Sequence, residues 1–488
     1  MTTLEADPAP PSSPGASASR WGRHPRWLAP TFVGALAFIW LSVVERTFMA
    51  ANSSWLPAGF RIHDMTANNT QQTVDVAEMN SYGIRFAWYE HVYPPLLDLI
   101  RYVLMLPEVR AGLEPSGDAV DDRLYWLFGV FFGVVVAIVY LWVRDLTGSG
   151  WWALGASVLW AVSPISVTVM TLLEPTPLSM TLVTLTFYLL YRFLKTRSMS
   201  YSTAFFGALL VASLSRNVVQ LHVMAILAVA VVAFWIMARN RRKVLLVVNV
   251  ILVLLTFFWP VRAFLMYGTW DVSTHTGYHR AGALWIDPRT APEPSYPFHI
   301  SDNALSFTSR FNTQPLVAEN YKLGLAANEL MLSDPMEAGS RLARSLTITI
   351  PNALLPITAT TDNYLVEQFW WSAPYEWLFS GWSYVLLLLG SAVIIIWARG
   401  WPGSLRLLRR YGWFAVFWIL VAIPVAFSNR YWPPGSEDLG PIHTEAARLK
   451  AFLEVPLYAV AFYAAWLLVG RVRGWLVKQR ESAASNAA

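Results

Sequence analysis

The chain lacks cysteine and is poor in charge. None of its 488 residues is cysteine, which excludes disulfides, thiolate nucleophiles, cysteine zinc sites and iron–sulfur clusters. Only 14% of the residues are charged, whereas an ordinary soluble chain has about 25%. Hydrophobic residues make up 55% of the chain, and the mean hydropathy is +0.41. A soluble globule could not hide so much apolar surface, so the sequence predicts a chain that lies largely in a lipid bilayer.

Apolar runs of membrane-spanning length recur along the chain. A helix of about 20 apolar residues crosses a bilayer, so we predict an all-α polytopic membrane protein with about ten transmembrane helices. Residues 1–27 form an N-terminal tail that we expect to be disordered, and residues 471–488 form a basic C-terminal tail. The predicted spans lie near 28–44, 124–143, 151–172, 177–194, 201–217, 219–238, 243–266, 377–397, 411–428 and 451–470.

Basic residues concentrate on one side of this predicted topology. The side that contains both tails has 19 of the 36 Lys and Arg residues but only four of the 31 acids. Since cytoplasmic loops are enriched in Lys and Arg, we predict that both termini are cytoplasmic. The basic charge is then explained by topology and anionic lipid, without nucleic acid.

The opposite, outer side has two long loops, at 46–123 and 268–376, and a shorter polar loop at 429–450. In the first loop, residues 92–106 are apolar except for Asp98 and Arg101 and are too short to span. We therefore predict an amphipathic helix on the membrane surface. Residues 328–346 have a similar period, with Asp334-Pro335 as a helix cap and first turn.

Ionisable side chains gather at the outer ends of the predicted helices. A coupled transporter is expected to place charged groups or broken helices near the bilayer midplane. Here the span middles contain essentially no charged residues. Arg216, His222 and Arg262 lie in the outer thirds of their helices, and Glu174 lies in an outer turn. This distribution favours binding or chemistry at the outer face, on a substrate that arrives within the membrane.

Several short motifs follow one another in a characteristic order. The first outer loop has an acid, a short helix ending at Gly83 and a Pro-Pro-Leu entry into the surface helix. Together with three later segments, this order resembles the GT-C glycosyltransferases that use polyprenyl-phosphate sugars, such as protein O-mannosyltransferases and the lipid A aminoarabinose transferase. The segments are Ile62-His63-Asp64-Met65-Thr66, His91-Val92-Tyr93-Pro94-Pro95, Leu173-Glu174-Pro175-Thr176-Pro177-Leu178, Asn328-Glu329-Leu330 with Arg341-Leu342-Ala343-Arg344, and Asn429-Arg430-Tyr431 with 448–456.

The resemblance implies a transmembrane catalytic domain over residues 28–470. Its reaction would move a single hexose or pentose from a polyprenyl-phosphate donor to a hydroxyl of a lipid, protein or polysaccharide. The resemblance and the composition together imply the periplasmic or extracellular face of a bacterial plasma membrane. Many such enzymes carry paired first-loop acids, whereas Asp64 is followed by Met65, so Glu45, Asp75 and Glu78 stay open as alternatives to Asp64.

This reaction needs a base, a phosphate clamp and an apolar groove. A carboxylate can take the proton of the acceptor hydroxyl, and arginine can stabilise the charge that grows on the departing phosphate. We predict inversion, because a single displacement needs only one base. Asp64 is the preferred base, and Glu174 and His91 are further catalytic candidates. The predicted substrate-binding residues are Glu45, Arg216, His222, Arg262, Arg430 and Arg448.

Each candidate also has a purely structural interpretation. Asp64 can cap a helix, Glu174 can be a turn acid, and the arginines can reach lipid headgroups by snorkelling. The chief rival function is a transporter or flippase of lipid-linked glycans, which needs a polar pathway that continues inward. A non-catalytic membrane scaffold is a third possibility. The reaction requires no cofactor, no metal-ligand set is predicted, and a divalent cation is left open.

Overall fold

In a computed structural model, the structure describes residues 27–51, 73–90, 94–171, 173–216, 221–267, 270, 273, 275–293, 314–354, 381–426 and 446–487. Over these ranges the chain is helical and contains no strand, as the all-α prediction requires. The helices are α1 (Leu28–Ala51), α2 (Val76–Tyr82), α3 (Phe86–Tyr89), α4 (Leu96–Arg110), α5 (Gly117–Thr147), α6 (Gly150–Ala161), α7 (Pro164–Thr171), α8 (Pro175–Thr196), α9 (Met199–Ser213), α10 (Leu221–Met237), α11 (Lys243–Thr256), α12 (Phe258–Tyr267), α13 (His275–Ala283), α14 (Gln314–Ser333), α15 (Pro335–Leu354), α16 (Gly381–Ala426) and α17 (Ala446–Ala487).

Five helical segments in the described ranges are long and apolar enough to cross a bilayer. Three shorter helices are also apolar: Leu28–Val43, Met199–Ser213 and Val223–Met237. These segments support a polytopic membrane protein, and the count of about ten spans stays a prediction. The five long segments are Gly117–Thr147, Pro175–Thr196, Lys243–Tyr267, Val385–Ala422 and Leu453–Ser482.

One sequence-based span differs from the structure. The predicted span 151–172 is divided between α6 and α7, because Pro164 cannot continue the preceding helix. The described parts of the predicted spans 377–397 and 411–428 lie on either side of Gly400, where φ is 71° and where the two helices that make up α16 meet.

The predicted surface helix 328–346 is likewise divided, at Asp334. Helix α14 ends at Ser333, and α15 begins at Pro335. The Glu337 amide donates to Asp334 Oδ1 over 3.0 Å, so the predicted cap and first-turn proline are both present. The predicted C-terminal tail, residues 471–488, is described to residue 487 and continues helix α17.

One part of the hydrophobic core lies where α16 packs on α8, α9 and α10 through aromatic rings. Phe417 lies 5.1 Å from Phe187 and 5.4 Å from Phe205, measured between ring centroids. Phe234 of α10 lies 5.8 Å from Phe205. Helices in lipid associate through shape-matched packing rather than through burial from water, so these rings hold α16 against the other helices.

The two ends of the bundle have different chemistry. At one end, residues from separate loops meet: the Arg239 amide donates to the Arg197 oxygen, and Arg410 donates to the Lys195 oxygen, both over 2.9 Å. These basic residues are the ones that the sequence predicts on the tail side. At the other end, the Leu96 amide of α4 donates to the Leu214 oxygen over 2.9 Å. The first outer loop therefore contacts the turn that follows α9.

Helices α1 and α5 meet backbone to backbone at two glycines. A Cβ atom on Gly133 would lie 2.6 Å from the Gly34 oxygen, and one on Gly34 would lie 2.7 Å from the Gly133 oxygen. Both distances are shorter than any ordinary carbon–oxygen contact. Small residues permit such close approach between membrane helices, so this pair sets the spacing of α1 and α5.

We expect Gly133→Ala to lower the midpoint of thermal unfolding of the detergent-solubilised protein, because the added methyl group forces α1 away from α5. The matched control is Gly155→Ala in α6, where a Cβ atom would meet nothing within 4 Å. There alanine is expected to stabilise the helix by up to about 1 kcal/mol. Equal midpoints for the two variants would contradict the close contact.

Candidate functional site

The first outer loop folds into short helices that pack on α5. The Asp75 carboxylate caps α2, accepting from the Ala77 amide over 2.8 Å, and α2 ends before Gly83 as the sequence predicts. The surface helix predicted at 92–106 is α4, at Leu96–Arg110. Buried apolar side chains from α2, α4 and α5, including Met79, Met105 and Val120, hold this loop together.

Helix α4 buries a pair of charged residues one turn apart. Asp98 and Arg101 are buried, and Arg101 Nη1 lies 2.6 Å from Asp98 Oδ1. The Val74 backbone binds both side chains: its amide donates to Asp98 Oδ2 over 3.2 Å, and its oxygen accepts from Arg101 over 2.7 Å. The pair thus ties α4 to the chain segment that leads into α2.

A second carboxyl group, Glu90, lies beside this pair. It is buried directly after α3. Burial raises the pKa of Glu90 well above its usual value, and the neighbouring Asp98 raises it further. Burial also raises the pKa of Asp98, although Arg101 opposes that effect. A hydrogen bond between the two carboxyl groups raises the pKa of Glu90 and lowers that of Asp98, so Glu90 is the member of the pair that favours the protonated form.

Arg262 of α12 joins the same cluster from the transmembrane bundle. Its guanidinium lies 4.4 Å from the centre of the Trp259 ring, donates to the Trp88 oxygen and lies 3.4 Å from the Tyr267 hydroxyl. Its charge also lowers the pKa of Glu90, against the larger effect of burial. Because the Arg262 guanidinium contacts aromatic rings and a main-chain oxygen of the first outer loop, the geometry indicates that Arg262 positions this loop.

Glu174 and Arg216 meet at the start of α8. Glu174 precedes Pro175 at the N-terminal end of α8, and Arg216 follows the end of α9. Both are buried, with Arg216 Nη1 3.8 Å from Glu174 Oε1. Thr176 Oγ1 links them: it donates to the Glu174 carboxylate and accepts from the Arg216 guanidinium. Two candidates that are 42 residues apart by their numbers thus form one buried acid–arginine pair.

The two clusters lie at the same end of the bundle. Leu97, the neighbour of Asp98, packs with Leu173 and Leu178 around the start of α8. Leu214, two residues before Arg216, accepts the hydrogen bond from Leu96. The first outer loop is therefore placed over the acid–arginine pair, so that buried charges from the loop and the bundle share one face.

The remaining sequence candidates are not brought into this arrangement by the described residues. Asp64, His91 and Arg430 lie outside the described part of the chain. Glu45, His222 and Arg448 lie on α1, α10 and α17, and only their backbone positions are described. In the described ranges, no three His, Asp or Glu side chains are grouped so that they could hold a metal ion.

Sequence reasoning missed the buried charges of the first loop as site residues. In the sequence, Asp98 and Arg101 interrupt an apolar run, and a carboxylate and an arginine three residues apart on a helix can pair. No sequence motif marks Glu90, and Asp75 and Glu78 are alternatives to Asp64. The structure gives Asp75 a capping role and buries Glu78.

Comparison with known proteins yields one family. The family model for dolichyl-phosphate-mannose-protein mannosyltransferases, a GT-C superfamily family, matches residues 116–264. The match runs from the start of α5 into α12, which is less than half of the chain, and includes Glu174, Arg216 and Arg262. No curated protein and no solved structure shows a significant match to the chain. The chain thus resembles the GT-C superfamily, as its motifs indicate, and the match points to a membrane glycosyltransferase.

We expect Glu90→Gln to change how stability depends on pH. A raised folded-state pKa contributes stability that is complete below the unfolded-state pKa of about 4.3 and is lost as pH rises through the folded-state pKa. Above about pH 5, the unfolding midpoint should therefore fall with rising pH for the natural chain until the folded-state pKa of Glu90 is passed, and it should fall less for Glu90→Gln.

The matched control is Glu114→Gln, an exposed acid between α4 and α5, which should keep the pH profile of the natural chain. Thermal unfolding of the solubilised protein, followed by intrinsic tryptophan fluorescence, provides the measurement. Parallel profiles for the natural chain and Glu90→Gln would show that folding does not raise the pKa of Glu90.

Proposed function

We propose that the chain is a membrane glycosyltransferase that moves one sugar from a polyprenyl-phosphate donor to an acceptor hydroxyl. The observation that carries this proposal is the meeting of the first outer loop with the buried Glu174–Arg216 pair at one end of an apolar bundle. The family match supports the same reaction class, because it covers the segment that contains this pair. The apolar bundle suits a donor whose lipid stays in the bilayer.

In this proposal Arg216 binds the donor phosphate. Its planar guanidinium stays protonated and can meet two phosphate oxygens at once. Glu174 and Thr176 act as positioning residues, because they contact the guanidinium and fix its direction. The N-terminus of α8 lies beside the pair, and helix N-termini favour anions. Arg262 positions the loop through Trp88.

Asp64 is proposed as the base. It belongs to the same outer loop, 46–123, whose later part covers the start of α8. The acceptor oxygen attacks the anomeric carbon, its proton passes to the Asp64 carboxylate, and the bonding electron pair of the breaking carbon–oxygen bond leaves with the phosphate. A single displacement of this kind inverts the anomeric centre. His91, Glu45, His222, Arg430 and Arg448 stay candidates for contacts to the donor or the acceptor.

The proposed setting is a bacterial plasma membrane, with both termini cytoplasmic and the site on the outer face. Lipid, protein and envelope polysaccharide are all compatible acceptors for a site that opens at a membrane surface. The support is the separation of charge in the sequence: the basic loops and the acid-rich loops alternate along the chain.

We expect Asp64→Asn to lower glycan transfer at least about 100-fold, because general-base catalysis contributes that much or more. Membranes that contain the full-length chain would be given radiolabelled polyprenyl-phosphate sugars, with mannose and arabinose in separate reactions, and an envelope extract as acceptor. Protein level and unfolding midpoint should stay unchanged.

Glu114→Gln, an exposed acid of the same outer loop, is the control and should transfer at the natural rate. Undiminished transfer by Asp64→Asn would reject Asp64 as the base. Absence of any labelled product from the natural chain, together with movement of donor lipid across vesicle membranes, would reject the enzyme and favour the flippase.

The absence of cysteine makes the sidedness directly testable. We expect Glu114→Cys to react with a membrane-impermeant maleimide in intact spheroplasts, and Arg480→Cys on α17 to react only after permeabilisation. Both positions are exposed, and the natural chain supplies no background labelling. Labelling of both residues from the same side would overturn the proposed topology.

A further inference from the structure

Among the described residues, the basic end of the bundle contains more cations than its one paired carboxylate, Asp145, can bind. Asp145 of α5 binds Arg192 over 3.2 Å and lies 3.9 Å from Lys195. Arg192 is further held by the hydroxyl groups of Tyr188 and Tyr201, over 3.0 and 2.6 Å. This carboxylate is therefore fully engaged by residues of α8.

Three arginines from three separate segments stand next to this group. Arg197 follows α8, Arg239 follows α10, and Arg410 lies in α16. Two of them donate to main-chain oxygens: Arg197 Nη2 reaches the Arg410 oxygen over 3.4 Å, and Arg410 Nη2 reaches the Lys195 oxygen over 2.9 Å. The backbone amide of Arg239 donates to the Arg197 oxygen over 2.9 Å. Within the described ranges, none of the three pairs with a carboxylate.

The Arg197 guanidinium is incompletely satisfied. Its Nη1 atom is buried and has no hydrogen-bond partner among the described residues. Burial lowers the pKa of Arg197, and the charges of Arg410 and Arg239 lower it further. Positive charges that approach one another in this way are stabilised when an anion lies between them.

The backbone at Arg197 is also unusual. Its φ of 57° and ψ of 28° place it in the left-handed region at the C-terminal cap of α8, where glycine is the common residue. Within the described ranges, the one other non-glycine residue with a positive φ is Trp285. A side chain kept in a strained backbone position points to a function for that side chain.

The location matches the phosphate layer of a membrane. Arg197 and Arg239 follow apolar helices, and Arg410 directly precedes the apolar run that forms the second half of α16. Anionic lipid headgroups attract basic residues at this depth, and guanidinium groups bind phosphate oxygens in pairs. We propose that Arg197, Arg239 and Arg410 bind the phosphate of an anionic phospholipid, which fastens α16 to the α8–α9 hairpin.

The test is thermal unfolding of the full-length chain, purified in neutral detergent and titrated with phosphatidylglycerol. We expect the lipid to raise the midpoint by more than about 2 °C, and phosphatidylcholine to leave it unchanged. Arg197→Gly should match or exceed the natural midpoint without lipid, because glycine relieves the left-handed backbone. It should nevertheless lose the response to phosphatidylglycerol.

Two further variants sharpen the comparison. Arg410→Gln should reduce the lipid response, since it removes a second phosphate ligand. Arg480→Gln, an exposed arginine on α17, should respond like the natural chain and controls for general surface charge. A full phosphatidylglycerol response in Arg197→Gly, or an equal response of the natural chain to phosphatidylcholine, would overturn the proposal.

The bound phosphate group could belong to a phospholipid or to a free phosphate ion. Titration with inorganic phosphate in place of lipid distinguishes these two sources. If phosphate alone reproduces the shift in the natural chain and fails in Arg197→Gly, the site takes a free anion and the lipid assignment is wrong. If phosphate gives no shift while phosphatidylglycerol does, the lipid assignment is supported. Neither result depends on glycosyl transfer.

Discussion

The cost of an unpaired charge in an apolar bundle governs the arrangement of this molecule. A buried charge costs several kcal/mol unless another group pairs with it or binds it by hydrogen bonds. Arg101, Arg216 and Arg262 are all buried, and each is held by a carboxylate, a threonine hydroxyl or a main-chain oxygen. Val74, Thr176 and Trp88 come from other segments of the chain than the arginines that donate to them, so satisfying the arginines also brings segments together. Arg262 joins the loop to the bundle in this way, alongside the apolar packing of α4 on the start of α8.

The parts of the fold that depend on hydropathy could be predicted from the sequence. Apolar runs of sufficient length predict the all-α class, and the basic loops between them predict that the two ends of the helix bundle differ in charge. The break between α6 and α7 and the division at Asp334 depend on Pro164 and Asp334-Pro335, which were visible in the sequence. Hydropathy alone predicts one span across Pro164, because a single proline changes the mean hydropathy of a long apolar run very little.

The site could be predicted only where topology alone brings residues together. Glu174 and Arg216 stand at the open end of the α8–α9 hairpin, so two adjacent antiparallel spans place them at one level. The contact through Thr176 depends on side-chain geometry and has no sequence signature. The position of Glu90 has no sequence signature either, because its place beside Asp98 depends on how the first loop folds back over α4. Asp64 stays a prediction, since it lies outside the described residues.

The two ends of the bundle use arginine in opposite ways. At the end formed by the first loop, Arg101 and Arg216 have carboxylates within the chain, so their charge is paired before any ligand arrives. If Arg216 binds the donor phosphate as proposed, that phosphate competes with Glu174, and this competition favours release of the spent phosphate after transfer. At the basic end, no described carboxylate pairs with Arg197 or Arg410, so the proposed phospholipid phosphate meets no such competitor among the described residues. The two proposals thus imply exchange of a substrate at the first site and long residence of a structural lipid at the second.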